Sequence, residues 1–222
     1  GRLPMHYASK NRFNGHKIMI FLIREGAKVD YPDEDGRLPI HYACEFEDLD
    51  EVILLVANGA RVDLPDLNNQ LPMHYASRNR FSGHKIMSFL IKEGGDVNFP
   101  DGDLRRPIHY ACEQGNLDEV KLLVTNGAEV NVPDRNGRLP INYASRNCFD
   151  KHRIMSLLIQ NGARVDFLDS DRRRLIHYAC EQGDLDEVIL LVANGAKLNV
   201  PDGNGRLPMH YASKNRFNGH KI

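Results

Sequence analysis

The sequence predicts an all-α repeat solenoid, a row of helix–turn–helix units joined by hairpin-like loops. Three observations predict it. Near-identical segments recur along the whole chain, with LPMHYAS at Leu3 returning at Leu71 and IHYAC at Ile40 returning at Ile108 and Ile176. Each segment carries a short Pro-led stretch followed by an apolar stretch of helical period. Each then closes on Gly and a turn rich in Asp, Asn and Gly.

The repeats are of two lengths. A 35-residue unit alternates with a 33-residue unit, so the pattern returns every 68 residues. The boundaries are 1–35, 36–68, 69–103, 104–136, 137–171 and 172–204, with a partial seventh unit at 205–222. Together they form one solenoid over residues 1–222, since such units bury their apolar faces only against neighbours.

Within a unit the elements follow from local chemistry. Pro4 stands in the first turn of a short helix running to about Arg12, where its missing N–H costs nothing. The second helix is marked by Ile18, Met19, Phe21, Leu22 and Ile23 in the first unit, and by Val52, Leu54, Leu55 and Val56 in the second. It ends at Gly26 or Gly59, where glycine accepts the left-handed conformation that closes a helix. AKVDYPD or ARVDLPD then leads into the turn.

LPIH-Y-A resembles the ankyrin signature Thr-Pro-Leu-His-x-Ala, and the 33-residue spacing matches that family. LDEVKLLVTNGAEVN, at Leu117 to Asn131, is similar to the family's second helix and its closure. The resemblance covers the whole chain. It implies paired antiparallel helices, a projecting loop, a concave face and protein binding. Departures are present: the family Thr is Leu at 3, 38, 71, 139 and 207 and Arg at 106 and 174, which removes a hydroxyl helix cap. Leu175 replaces the Pro and Asn142 the His, and the odd units lengthen the inter-helix turn by two residues.

Composition narrows the function. Twenty-nine basic and 30 acidic residues give a formal charge of -1, which argues against a nucleic-acid groove. No apolar run reaches the roughly 18–20 residues a membrane span needs, and the first residues carry no signal-peptide core. No P-loop, dinucleotide fingerprint, HExxH or Gly-x-Ser-x-Gly occurs, so the expectation is a non-enzymatic protein with no cofactor.

Histidine and cysteine fit structure better than chemistry. His6, His41, His74, His109, His177 and His210 share the signature position, one in every unit but the fifth, and therefore form a ladder instead of a metal-binding cluster. The resemblance makes them hydrogen-bonders near the inter-unit loop. His16, His84, His152 and His220 fall in the long turns, where solvation is expected. Cys44, Cys112 and Cys180 lie 68 residues apart, too far for disulfides, and read as small buried residues. Cys148 reads as an exposed thiol. Free thiols favour a reducing, cytoplasmic setting.

Charge is banded at the inter-helix turns. Odd units place Lys10, Arg12 and Lys17, or Arg146, Lys151 and Arg153, where even units place Glu45, Glu47, Asp48 and Glu51, or Glu181, Asp184 and Glu187. Ion pairing between neighbours is the plainer reading; register against a striped partner is the sharper one.

Carried over residue by residue, the family's binding surface falls on the loop tips and the ends of the first helices. The tips are Glu34, Asp35 and Arg37; Leu67, Asn68 and Gln70; Asp103, Leu104 and Arg105; Arg135 and Arg138; Asp171 and Arg173; and Arg206. The helix positions are Glu45, Phe46, Glu113, Gln114, Glu181 and Gln182. These positions vary between otherwise similar units, as a binding surface would, and Phe46, Leu67 and Leu104 are candidate apolar anchors.

Residues 205–222 repeat residues 1–18 at every position. Neither end shows a polar capping version of the unit, which points to a longer array or to stacking of copies head to tail. The self-association candidates are Met5, Ile18, Met19, Leu22, Met209 and Ile222. The expected partner is thus another protein or further copies of the chain.

Overall fold

The computed structural model describes residues 2–11, 13–46, 48–79, 83–146 and 149–214. The expectations placed on Arg12, Glu47, Cys148, His220 and Ile222 lie outside them. Thirteen helices and no strand occur among the described residues. The first helices of successive units are α1 (Pro4–Ala8), α3 (Pro39–Glu45), α5 (Pro72–Ser77), α7 (Pro107–Gln114), α9 (Pro140–Ala144), α11 (Leu175–Gln182) and α13 (Pro208–Ala212). The second helices are α2 (Gly15–Arg24), α4 (Leu49–Ala57), α6 (Gly83–Lys92), α8 (Leu117–Thr125), α10 (Lys151–Gln160) and α12 (Leu185–Ala193).

First helices pack on first helices and second on second, with α3 on α5, α7 on α9 and α11 on α13 in more extensive contact than α1 on α3. Between the two rows lies one continuous core, in which Ile40, Leu55, Ile86, Leu90, Ile108, Leu123, Ile154 and Leu158 are fully buried or within 1% of it. Each such side chain contributes about 1.5–3 kcal/mol.

The first helices of the odd units are shorter than the sequence suggests. α1 stops at Ala8 because Ser9 turns its hydroxyl back onto the Met5 carbonyl at 2.9 Å. Asn11 then caps the long turn, its Oδ1 accepting from the amides of Phe13 and Asn14 at 3.0 and 3.1 Å. In two even units the helix runs on to Gln114 and Gln182 and is closed by Gly115 and Gly183, both at φ 73.

The lost hydroxyl cap has a replacement. His6 Nδ1 accepts from the Leu3 amide at 3.0 Å, and the same bond recurs from Leu38 to His41 and from Leu71 to His74 at 2.9 Å. In the fifth unit Asn142 Oδ1 does this at 2.9 Å. The even second helices keep ordinary caps, with Asp48, Asn116 and Asp184 accepting from the amide three residues on.

Candidate functional site

Every loop is held by one carboxylate. Asp33 Oδ1 accepts from the amides of Asp35 and Arg37 at 3.0 and 2.9 Å, while Oδ2 accepts from the Tyr42 hydroxyl at 2.5 Å. The lock recurs at Asp66 with Tyr75, Asp101 with Tyr110, Asp134 with Tyr143, Asp169 with Tyr178 and Asp202 with Tyr211. The spacing between Asp and Tyr is nine residues in all six. That regularity is visible in the sequence and was the missed signal for how the tips are fixed. Burial raises the Asp202 carboxyl, but the Tyr211 hydroxyl and the amides of Arg206 and Asn204 outweigh it and hold the group down at about 2. Asp33 and Asp101 are held low in the same way.

Successive tips are also tied through their backbones. The amides of Leu67, Gly102, Arg135, Ser170 and Gly203 donate to the carbonyls of Asp35, Asn68, Asp103, Asn136 and Asp171, at 2.8 to 3.3 Å. The signature histidines reinforce this row. His6 Nε2 meets the Arg37 carbonyl at 3.1 Å, His41 that of Gln70 at 3.1 Å, and His109 that of Val132 at 3.0 Å. Since Nδ1 accepts from an amide, Nε2 carries the proton and donates, so the ring is neutral. Burial pushes His41 and His109 down to about 4, in agreement with that state.

A ladder of tyrosine and cation runs along the first helices. The Arg37 guanidinium lies 4.0 Å from the Tyr42 ring centroid and 4.4 Å from that of Tyr75. Arg105 sits likewise between Tyr110 and Tyr143, and Arg173 between Tyr178 and Tyr211. Each of these arginines also pairs with a carboxylate eight residues on: Glu45, Glu113 and Glu181. The tyrosines between them are at most 8% exposed.

This geometry sorts the expected binding residues. Glu34, Asp35, Leu67, Asn68, Asp103, Leu104, Arg135, Asp171, Gln182 and Arg206 stand at the surface. Arg37, Arg105 and Arg173 are half-buried and engaged with Tyr and Glu, so they cement the frame, and Glu45, Glu113 and Glu181 are their partners. Phe46, Gln114 and Arg138 are half-buried; Gln70 reaches the next lock, 3.2 Å from Asp101 Oδ2. Leu104 adopts φ 61 where other units carry Gly36, Gly137 or Gly205, a left-handed position that favours glycine. Of the self-association candidates, Met5 and Met19 are 2% and 0% exposed and belong to the core, because the apolar stripe of the first unit closes against the second. They are withdrawn from any end contact. Ile18 and Met209 are exposed and Leu22 half-buried.

The banded turns meet at the joint of the fifth and sixth units. Lys151 Nζ lies 3.0 Å from Glu187 Oε2 and pairs also with Asp184, and His152, expected in solvent, lies 3.3 Å from Asp184 Oδ1. Cys44, Cys112 and Cys180 are buried free thiols. Among the described residues no group of three or more His, Cys, Asp or Glu converges on a metal position, and no helix is long and apolar enough to cross a membrane.

The repeating lock, the histidine bridge and the two rows of helices describe a known unit. A family model for ankyrin repeats (3 copies) matches residues 5–101, 80–169 and 148–222, essentially the whole chain. The chain is an ankyrin-repeat protein. No curated protein matches it as a relative. Ankyrin repeats are in general protein–protein interaction modules and non-enzymatic scaffolds. A groove of about 660 Å³ lies on the face of tips and first helices between the fourth and fifth units, among Asp103, Arg135, Arg138, Tyr143, Arg146 and Phe149.

Proposed function

We propose that this ankyrin chain is a scaffold that binds another protein across its loop tips and the adjoining first-helix face. One observation carries the reading. The locking Asp and Tyr are the same in six units, while the three residues enclosed by each lock differ: Glu34-Asp35-Gly36, Leu67-Asn68-Asn69, Gly102-Asp103-Leu104, Arg135-Asn136-Gly137, Ser170-Asp171-Arg172 and Gly203-Asn204-Gly205. A rigid frame presenting different side chains at a fixed spacing suits recognition with little ordering cost on the scaffold's side. The buried free thiols favour a reducing compartment.

Selection of binders from a displayed random peptide library, followed by amide chemical-shift mapping on the full chain, tests this. Shifts are expected at the tips and first helices, among them Leu67, Asp103 and Arg135. Shifts confined to the second helices and their C-terminal caps, at Lys121, Asn161 or Asn194, would sink the reading.

A further inference from the structure

We propose that the groove between the fourth and fifth units is an acidic-peptide subsite, in which Arg138 and Arg146 grip the carboxylates of a partner's extended acidic segment. The proposal rests on the reading that this face binds protein and names the chemistry of the partner there.

Charge bookkeeping along the groove supports it. Three of its acids are already engaged: Glu113 pairs with Arg105, Asp103 lies 3.8 Å from Arg135, and Asp134 takes the Tyr143 hydroxyl and two tip amides. Arg138 and Arg146 make no ion pair among the described residues. Arg138 Nε is buried without a hydrogen-bond partner, and Arg146 has the Tyr178 ring at 4.9 Å. Two positive charges therefore remain in a groove with the volume for a short stretch of chain.

The sister units show that this is particular to the fifth. In the third unit the same two positions are Gln70 and Arg78, which touch at 3.3 Å, and Gln70 also reaches Asp101 of the next lock. In the first unit they are Arg2 and Lys10, and Arg2 is paired with Asp33 at 3.4 Å and lies 3.9 Å from Asp35. The fifth unit thus sets two guanidinium groups where its sister sets one guanidinium against a neutral amide, and neither is ion-paired among the described residues. A bidentate carboxylate is the ligand this fork geometry accepts best. Phe149, 59% exposed, adds an apolar wall for the aliphatic part of a Glu side chain. A phosphate backbone would also answer to arginine, but with a formal charge of -1 the chain lacks the basic surplus that holds nucleic acid.

Fluorescence anisotropy on the full chain at low ionic strength, with labelled hexa-glutamate, hexa-glutamine and hexathymidylate, decides the matter. Hexa-glutamate is expected to bind, hexa-glutamine to fail, and the Arg138→Gln/Arg146→Gln variant to lose at least about tenfold in affinity. Arg164→Gln, an exposed change beside the second helices, is expected to bind as the parent does. Unchanged affinity in the double variant, no binding of hexa-glutamate at all, or tighter binding of hexathymidylate would overturn the proposal. If circular dichroism shows the double variant unfolded, the same comparison is made with Arg138→Lys and Arg146→Lys, which keep the charge and lose the fork; unaltered affinity in both would count against it. Failure here, with selected peptides still mapping to the tips, leaves the scaffold reading standing; peptides mapping to the second helices remove both.

Discussion

The fifth unit and its sisters, the first and third, come from one 68-residue template, and they spend their charges differently. In the sisters, position 2 or 70 is tied to the next unit's lock, the signature residue is histidine, and the second helix starts on glycine. In the fifth unit Arg138 is released from that task, Asn142 takes the histidine's place, and Lys151 takes the glycine's. The glycines are required where they stand. A Cβ on Gly83 would lie 2.2 Å from Glu119 Oε1 and 2.6 Å from the Ala76 carbonyl, and one on Gly15 would lie 2.4 Å from that of Ala8. The fifth unit instead turns through Asp150 at φ 45 and sends Lys151 to the buried Glu187. A repeat can therefore keep its backbone plan while the residue that opens the second helix is a closely packed glycine in two copies and an ion-paired lysine in another.

The largest effect is expected where the fifth unit is most unlike its sisters. Lys151→Met leaves Glu187, 0% exposed, without its cation, and should cost about 3–5 kcal/mol in urea unfolding. Burial already raises the Glu187 carboxyl despite Lys151, so adding Glu187→Gln should restore most of the loss. A single change that left stability unaltered would mean the pair is not the joint's support.

Next comes the histidine–asparagine difference. His41 and His109 have folded-state values near 4, below the ordinary 6.5. Depressed groups stabilise the fold fully above 6.5, and that contribution is lost as pH falls through 4, up to about 3 kcal/mol for each. Asn142 has no such dependence. Denaturation midpoints between pH 7 and 4 should therefore fall with acid in the parent chain and fall less in His41→Asn/His109→Asn. Below that window the locks add their own loss, since Asp202 is held at about 2. A flat profile in the parent would remove the neutral-histidine account.

Gly83→Ala should be smaller and still destabilising. The close contacts at Glu119 and Ala76 should cost about 1–3 kcal/mol, offset in part by the better helix propensity of alanine. Equal or higher stability would show that the start of α6 has room to shift.

Much of this was legible in the sequence. The 68-residue period, the helix starts at proline and the glycine closures place the units, and His41 and His109 prove to be the bridging residues the resemblance implied. The arginines were harder to read. Arg37, Arg105 and Arg138 all occupy the same kind of tip position in the sequence, and only the packing shows that two are caged between tyrosines while the third has no ion pair among the described residues. The carboxylate that cages one arginine lies eight residues on, but the second tyrosine comes from the next unit, 38 residues away for Arg37 and Tyr75. No local pattern contains that contact. The short odd helices were missed for a similar reason, since Ser9 ends α1 by a hydroxyl bond that competes with a further helical turn.

The central claim is that caged and released arginines do different work. Unfolding midpoint and hexa-glutamate affinity, measured together on Arg105→Gln and on Arg138→Gln/Arg146→Gln, test it most directly. Arg105→Gln should lower stability by about 1–2 kcal/mol. The double change should lower stability by less than Arg105→Gln does, since neither arginine has an ion pair to lose among the described residues, while weakening the peptide at least tenfold. Two variants that lose stability and affinity in the same proportion would contradict it.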